Sequence, residues 1–258
     1  MEKNRIADLF AGWEETLIWS CLQDCMGRAF ADSLENPRSA QILVGDFCFF
    51  AGRPSESLVR NKPDDRESNF VIMVPSSEEW AHVIEKVYQR CSKKIKRYAI
   101  KKEPDVFDKD KLENIVKNCP KGFSLGRIDE EVYRQAMENP WSADLCSQFK
   151  DYEDYRERGL GTAAFDGHIL AVGASSYTVY RGGIEIEVDT RRDYRRKGLA
   201  LCCAAQLILD CLERGLYPSW DAHNPASVAL SEKLGYHFEK EYTAYEVYGF
   251  TGKEEGQL

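Results

Sequence analysis

A cationic turn is the part of the sequence best suited to chemistry. Within residues 191–197 one acid, Asp193, stands among five basic side chains, which are Arg191, Arg192, Arg195, Arg196 and Lys197. Gly198 follows directly, and a glycine lets the backbone approach a ligand closely. The turn lies between a strand pattern and a helix pattern, and unpaired N–H groups at a helix start attract anions. These residues predict a phosphate or pyrophosphate site, to which Arg195 and Lys197 add charge-assisted hydrogen bonds.

Carboxylates precede this turn on a segment with the period of a strand. In GIEIEVDT, residues 183–190, isoleucine and valine alternate with Glu185, Glu187 and Asp189, as a strand with one polar face requires. A carboxylate at this position can act as a general base. Paired glutamates on a strand also form solvated or salt-bridged faces, and both roles stay open.

The elements that must position these residues alternate between strand and helix. Asp166-Gly167 favours a tight hairpin, and Asn224-Pro225 caps and opens a helix. From about residue 124 the patterns predict two short helices within 129–157, a hairpin within 161–180, a strand at 183–190, a helix at 199–214, a strand at 217–223, a helix at 225–233 and a strand at 237–248.

The first half of the chain predicts a similar order of elements. They are a helix at about 13–30, a strand pair at 41–51, a strand at 69–74, a helix at 77–91, a strand at 94–101 and a helix at 109–118. The order matches that of the second half without its last strand, which suggests a degenerate repeat, although any mixed α/β domain gives such an order. Turn residues in NCPKGFSLG place the boundary at 118–128. We therefore expect two domains, 1–123 and 124–258, of mixed α/β class.

Two motifs in the second half resemble those of a known superfamily. Arg195, Gly198 and Ala200 form R-x-x-G-x-A, which is similar to the acetyl-CoA loop of the GCN5-related N-acetyltransferase (GNAT) superfamily, between its fourth strand and third helix. Residues 222–236 resemble the family segment N-x-x-(A/S)-x-x-L-Y-x-K-x-G-(F/Y) through Asn224, Ser227, Leu230, Lys233, Gly235 and Tyr236. The motifs stand in the family's order across residues 124–258. The long first half also resembles the branch that contains zwittermicin-resistance-type acetyltransferases.

The resemblance implies a GNAT-like C-terminal domain and an acetyl-CoA-dependent N-acetyltransferase that acts on a small-molecule amine by direct attack in a ternary complex. Backbone amides of the turn would hold the CoA pyrophosphate, at Arg195, Arg196, Lys197, Gly198, Leu199 and Ala200. The pantetheine arm would lie beside Val188 and Asp189, with Asn224 and Ser227 at the mouth of the gap. Asn224 can equally serve as a helix cap, and the two roles carry equal weight.

The resemblance also implies catalytic residues, with one departure from the pattern. Glu187 or Glu185 would be the base, because a glutamate on this strand is a frequent base in the family. Ser231 stands where the family often has a tyrosine as general acid, and a serine hydroxyl is a much poorer acid. Proton return then falls to water or to Tyr236, Tyr242 or Tyr245. A CoA-binding sensing or interaction module with weak or absent catalysis therefore stays as the alternative.

Composition excludes several other classes of protein. The 258 residues hold 35 Lys+Arg against 43 Asp+Glu, a net charge of −8 that argues against non-specific nucleic-acid binding. The nine cysteines form no C-x-x-C pair and the four histidines lie far apart, so we expect reduced thiols and no metal. The charged start and interrupted apolar runs predict neither a signal peptide nor a membrane span. We expect a cytoplasmic protein, with a homodimer left open.

Overall fold

The computed structural model describes residues 3–250, and the chain divides into two compact units. Of the described residues, unit 1 comprises 3–97 and 241–250, and unit 2 comprises 98–240. Both limits of unit 2 fall inside strands rather than in loops. The expected division of the sequence at residue 123 stays a prediction.

Unit 1 is built on one mixed sheet. Its strands are β1 (Arg28–Ala31), β2 (Ser39–Val44), β3 (Phe47–Gly52), β4 (Phe70–Pro75), most of β5 (Ser92–Ile100) and most of β12 (Phe238–Tyr248). They lie in the order β1-β2-β3-β4-β12-β5. The helices are α1 (Thr16–Leu22), α2 (Glu56–Arg60) and α3 (Glu78–Tyr88), with a 3₁₀ helix at Lys3–Phe10. β3 and β4 are parallel, whereas β1–β2, β2–β3 and β4–β12 are antiparallel.

Trp80 on α3 joins the helix to the sheet of unit 1. Its fully buried ring stacks on Phe50 of β3 with 5.0 Å between ring centroids, and its Nε1–H donates to the Gly52 carbonyl at 2.9 Å. Aromatic rings contribute large buried apolar areas, and a buried indole N–H needs an acceptor. The same side chain therefore fills the core and satisfies its own donor.

The predicted helix at 13–30 is wrong beyond Leu22. Asp24 adopts a left-handed backbone with φ +60°, and residues 28–31 form β1, which pairs with β2 from Arg28↔Leu43 to Ala31↔Ala40. Non-local strand pairing therefore overrides a local apolar pattern that fits a helix equally well.

Unit 2 contains a second mixed sheet and the predicted anion turn. The strands of this sheet are β6 (Ser124–Arg127), β7 (Gly161–Asp166), β8 (Ile169–Tyr180), β9 (Gly183–Thr190) and β10 (Tyr217–Ser219), and β11 (Asp221–Ala222) lies outside it. The helices are α4 (Lys109–Lys117), α5 (Glu130–Glu138), α6 (Tyr152–Arg158), α7 (Leu199–Glu213) and α8 (Pro225–Leu234). The sheet order is β10-β9-β8-β7-β6. The predicted hairpin at Asp166-Gly167, the strand at 183–190 and the helices after Gly198 and Asn224 are confirmed.

The two faces of the unit 2 sheet carry different elements. α7 is apolar along most of its length and packs on β7, β8 and β9. A 3₁₀ turn at Ala143–Leu145 packs on β8 and β9 instead, where a Cβ added to Gly173 would lie only 2.3 Å from Leu145 Cδ1. Because Gly173 pairs with Asp189, this close approach places the turn on the acidic face of β9.

Both units repeat one strand pattern, antiparallel, antiparallel and then parallel. It runs through β1-β2-β3-β4 in unit 1 and through β7-β8-β9-β10 in unit 2. In each unit the parallel pair is followed by a helix, α3 or α8. The suspected repeat is therefore present as a tandem arrangement of similar topology.

Candidate active site

The cationic turn of unit 2 has a backbone shape suited to an anion. After a 3₁₀ turn at Arg192–Tyr194, Arg196 has φ +62° and Gly198 has φ +82°, both in the left-handed region. Left-handed residues within a turn direct successive N–H groups into a concavity that binds anions. Gly198 is also the N-cap of α7 and has no side chain to cap the first amides. The first N–H groups of this 15-residue helix thus face the turn without a side-chain acceptor from the cap.

The turn is open to solvent where a ligand would lie. Residues 195–198 are all exposed, and a Cβ added to Gly198 would meet only Pro120 Cγ, at 3.9 Å. Arg195 lies beside β9, where its Nε donates to the Thr190 carbonyl at 3.4 Å. The site therefore has room for a phosphate group and carries fixed positive charge beside it.

β9 extends beyond its parallel partner. β10 pairs with it only at Tyr217↔Gly183, Pro218↔Ile184 and Ser219↔Glu185. The chain then leaves β9, and β11 pairs with Ala99 and Tyr98 of β5 instead. Among the described residues, Ile186–Thr190 therefore have a ladder partner only in β8. The unpaired edge of β9 at residues 186–190 lies where the family resemblance implied a gap beside Val188, and the use of this edge by a ligand stays a prediction.

Glu187 lies at the open part of β9. It is half-buried, and its Oε1 accepts a hydrogen bond from the Val188 N–H at 3.2 Å. The predicted backbone donor at Val188 is thus held by its neighbour's carboxylate. Since this bond places a carboxylate at the strand edge, Glu187 can meet a molecule that lies along that edge.

Glu185 occupies a different environment on the same face. It lies within the paired part of β9 and is only 6% exposed. Its charge contributes to raising the pKa values of Tyr180, Tyr217 and Tyr236, for each of which burial is the larger cause. Of the two glutamates, Glu187 has the better access to a bound molecule.

Asp189 is the third acid on this face. Burial, and then the charge of Asp144, raise its pKa from 3.8 to about 7, while Arg195 acts in the opposite direction. Asp144 belongs to the Ala143–Leu145 turn that packs on this face. The sequence had placed Asp144 and Asp189 in separate segments, and only the packing of Leu145 against Gly173 brings them together.

The polar residues of α8 are engaged in local hydrogen bonds. Asn224 Oδ1 accepts from the Ser227 N–H at 3.0 Å, and Ser227 Oγ accepts from Trp220 Nε1 at 3.1 Å. Ser231 is fully buried, and its hydroxyl donates to the Val228 carbonyl at 2.8 Å. Asn224 therefore performs the helix-capping role, and the Ser231 proton is held inside the helix. The ligand-binding and catalytic roles of these residues stay predictions.

The tyrosines considered for proton return are similarly engaged. The Tyr236 hydroxyl donates to the Pro218 carbonyl at 2.6 Å, and burial raises its pKa well above the usual value. In unit 1, Tyr245 donates to Glu85 Oε1 at 2.6 Å and Tyr242 accepts from Arg97 Nε at 3.2 Å. A buried tyrosine with a raised pKa is a weak proton donor.

Sequence reasoning missed two aromatic residues beside the turn. Tyr194 is buried, with its hydroxyl donating to Asp166 Oδ2 at 3.0 Å. Phe123, which lies in the predicted boundary segment 118–128, meets the Tyr194 ring edge-on with 6.0 Å between ring centroids. Tyr194 could have been found from the sequence, because it is an aromatic residue inside a charged turn. Phe123 has no such signal, because it contacts the turn only in the folded chain.

Two features are absent from residues 3–250. No group of three or more His, Cys, Asp or Glu side chains in the part of the chain that the structure describes could hold a metal ion. No helix within this range combines the length and apolar character needed to cross a membrane.

Comparisons with known proteins bear on the family of this chain. A protein-family model, GNAT acetyltransferase, matches residues 7–245. An N-acetyltransferase of Bacillus subtilis (strain 168), named YdfB and uncharacterized, is 28% identical over 251 residues, which span 89% of each chain.

Solved structures extend the comparison to the fold. A GCN5-related N-acetyltransferase-like protein from Streptococcus suis 89/1591 is 43% identical and superimposes with a TM-score of 0.90 over 95% of this chain and 98% of that one. A tandem GNAT protein from the clavulanic acid biosynthesis pathway shares the fold with a TM-score of 0.50 and 13% identity, over 84% of this chain and 81% of that one. The chain belongs to the GNAT acetyltransferase family and is an acetyltransferase with a tandem GNAT-like architecture.

Proposed function

We propose that this protein transfers the acetyl group of acetyl-CoA to the amine of a small molecule, by direct attack in a ternary complex within unit 2. The observation that carries the proposal is the end of β9–β10 pairing at Glu185, which leaves residues 186–190 without a partner in β10 up to an exposed cationic turn. A GNAT acetyltransferase uses such a gap for its acyl donor, and family membership supports that use here.

The residues of the turn fit the donor. The amides of residues 195–200 would bind the pyrophosphate, with positive charge from Arg195 and Lys197 beside them. The open edge at Val188 and Asp189 would pair with the amide groups of the pantetheine arm, with the Glu187 carboxylate releasing the Val188 N–H as the arm binds. Bound in this way, acetyl-CoA supplies an activated acetyl thioester.

Glu187 is the base in this proposal. Its half-buried carboxylate lies at the open strand edge, where it can accept a proton from the acceptor ammonium, directly or through water. Glu185 lies deeper in the paired part of the strand and helps set the charge of the face. Solvent, rather than Ser231 or Tyr236, returns the proton that completes the transfer, because both hydroxyls already donate to backbone carbonyls.

The acceptor in this proposal is cationic before it loses its proton. Glu187 and Asp189 share the face that the Ala143–Leu145 turn covers, and Asp144 adds a third carboxyl group nearby. Negative charge that lines one side of a cleft raises the local concentration of a cationic substrate. We also place the protein in the cytoplasm, because its nine cysteines are free thiols.

Calorimetry and kinetics test the proposal together. We expect acetyl-CoA and CoA to bind, and a panel of small amines to include one that releases CoA thiol. Glu187→Gln should lower kcat by roughly 100-fold, a typical loss for a general base, while the KM for acetyl-CoA changes less than threefold. Glu185→Gln is the matched control and should lower kcat much less.

Three outcomes would contradict the proposal at different points. No binding of acetyl-CoA at high micromolar ligand removes the donor. Tight binding without turnover on any amine identifies a CoA-binding module rather than an enzyme for small amines. Equal losses of kcat in the two glutamine variants remove Glu187 as the base.

A further inference from the structure

The Lys197 side chain is held by two aromatic rings rather than directed freely into solvent. Its Nζ lies 4.6 Å from the centroid of the Tyr194 ring and 5.8 Å from that of Phe123. Both distances are within the range of cation–π attraction. The rings also contact each other, so the ammonium group has a defined position.

The two rings are themselves fixed by unit 2. Tyr194 is 9% exposed and is tied to the β7–β8 hairpin by its hydrogen bond to Asp166. Phe123 stands immediately before β6, which pairs with β7 from Ser124↔Phe165 to Arg127↔Thr162. The position of Lys197 is therefore set by β6 and the β7–β8 hairpin, elements that precede the turn in the chain.

Lys197 stands between the two left-handed residues of the turn. Arg196, at φ +62°, has a strained backbone because it carries a Cβ. Gly198, at φ +82°, has no Cβ and adopts this conformation without strain. Fixing the side chain of the residue between them restrains both backbone conformations. Cation–π attraction to two rings is comparable in size to the strain at a single left-handed residue.

We propose that Tyr194 and Phe123 are positioning residues for the donor, which hold the pyrophosphate-binding turn in shape through Lys197. This inference rests on the proposed function of the turn and adds residues that do not touch the donor. Loss of either ring should release the turn from its binding shape, so it should weaken interactions with the pyrophosphate and not those with the pantetheine arm.

Two acetyl donors separate this role from a general effect on folding. Acetyl-CoA carries the pyrophosphate, and acetyl-pantetheine lacks it. We expect Tyr194→Leu to raise the KM for acetyl-CoA about tenfold and Phe123→Leu to raise it about threefold, each with kcat within twofold. The KM for acetyl-pantetheine should stay within twofold in both variants. Tyr194→Phe keeps the ring and should restore most of the affinity for acetyl-CoA.

A second set of variants tests whether the rings act through Lys197. Lys197 is exposed, so Lys197→Met should fold, and in that background Phe123→Leu should cause no further rise in KM. Phe238→Leu removes a ring in unit 2 that contacts Tyr98 and serves as the control, with no change for either donor.

Several results would overturn the inference. They are an equal rise in KM for both donors, wild-type KM values in both leucine variants, or additive effects of Lys197→Met and Phe123→Leu. If the wild-type protein fails to bind acetyl-CoA at all, the proposed function fails instead, and the two failures are thus distinguishable.

Discussion

The parallel strand pairs of the two units differ in how far they stay together. In unit 1, β3 pairs with β4 from Phe47↔Ile72 to Phe50↔Pro75, which leaves only residues 51–52 of β3 beyond the ladder. In unit 2, β9 pairs with β10 over residues 183–185, which leaves residues 186–190 beyond it. The topology repeats, whereas the gap belongs to unit 2 alone among the described residues.

The helices that connect the parallel strands also differ between the two units. α2 has five residues, and its first turn is capped by Ser55, whose Oγ accepts from the Leu58 N–H. α7 has 15 residues, and its N-cap Gly198 has no side chain to cap it. The same topology therefore gives a closed helix start in unit 1 and an open one in unit 2. We infer one donor site per chain, in unit 2.

Among the substitutions that test this difference between the units, Gly198→Ala is expected to have the largest effect. A Cβ at φ +82° forces the turn out of shape and stands where the pyrophosphate would approach the amides. We expect the affinity for acetyl-CoA to fall about 50-fold, equivalent to losing one or two charge-assisted hydrogen bonds. Calorimetry should give one site per wild-type chain and no second site in the variant.

Gly182→Ala is the matched control for this change. Gly182 also lies in unit 2, has φ +95°, and has no atom within 4 Å of an added Cβ. Both variants should lose about 1–2 kcal/mol of stability from backbone strain. A second acetyl-CoA bound per wild-type chain, or equal losses of affinity in the two variants, would refute the assignment to unit 2.

The sequence predicted much of unit 2 because its signals are local. Alternation in residues 183–190 and the residues Asn224 and Pro225 each specify an element without reference to the rest of the fold. The end of the β9–β10 ladder could be expected only through family resemblance, since it depends on where Asp221 and Ala222 find another partner in β5. Contacts such as Asp144 with Asp189, or Phe123 with Lys197, depend on packing and have no local signature.

The next largest effect is expected from the acidic residues of β9. The corresponding strand of unit 1, β3, has the sequence FCFFAG and carries no carboxylate. The pKa of Asp189 is raised from 3.8 to about 7, so between these pH values the unfolded chain releases a proton that the folded chain keeps. Retention of this proton by Asp189 stabilises the folded chain relative to the unfolded one. This contribution to stability is fully present below pH 3.8 and is lost as the pH rises through 7. Asp189→Asn should therefore be more stable than wild type at pH 8, by about 2 kcal/mol after discounting for solvent screening, and equal to it at pH 4.

Chemical denaturation at these two pH values checks the sign. Asp144→Asn should reduce the pH dependence of the wild-type protein, because it removes the charge that raises the pKa of Asp189 after burial. A wild-type stability that rises between pH 4 and 8 relative to Asp189→Asn would show that the carboxyl group is instead stabilised as an anion.

The smallest effect separates backbone strain from donor binding. Arg196 in unit 2 and Gln89 in unit 1 both have positive φ, +62° and +39°. Replacing either with glycine relieves strain of about 1–2 kcal/mol and adds about 0.5–1 kcal/mol of unfolded-state entropy, so each variant should gain about 0.5 kcal/mol in urea unfolding. Only Arg196→Gly should also lower the affinity for acetyl-CoA, by about threefold, because it loosens the turn next to Lys197 and removes a positive charge. Gln89→Gly should not lower the affinity for acetyl-CoA to the same degree if this explanation holds. An equal loss would show that binding responds to backbone strain anywhere in the chain, and that the difference between the units does not explain the loss in Arg196→Gly.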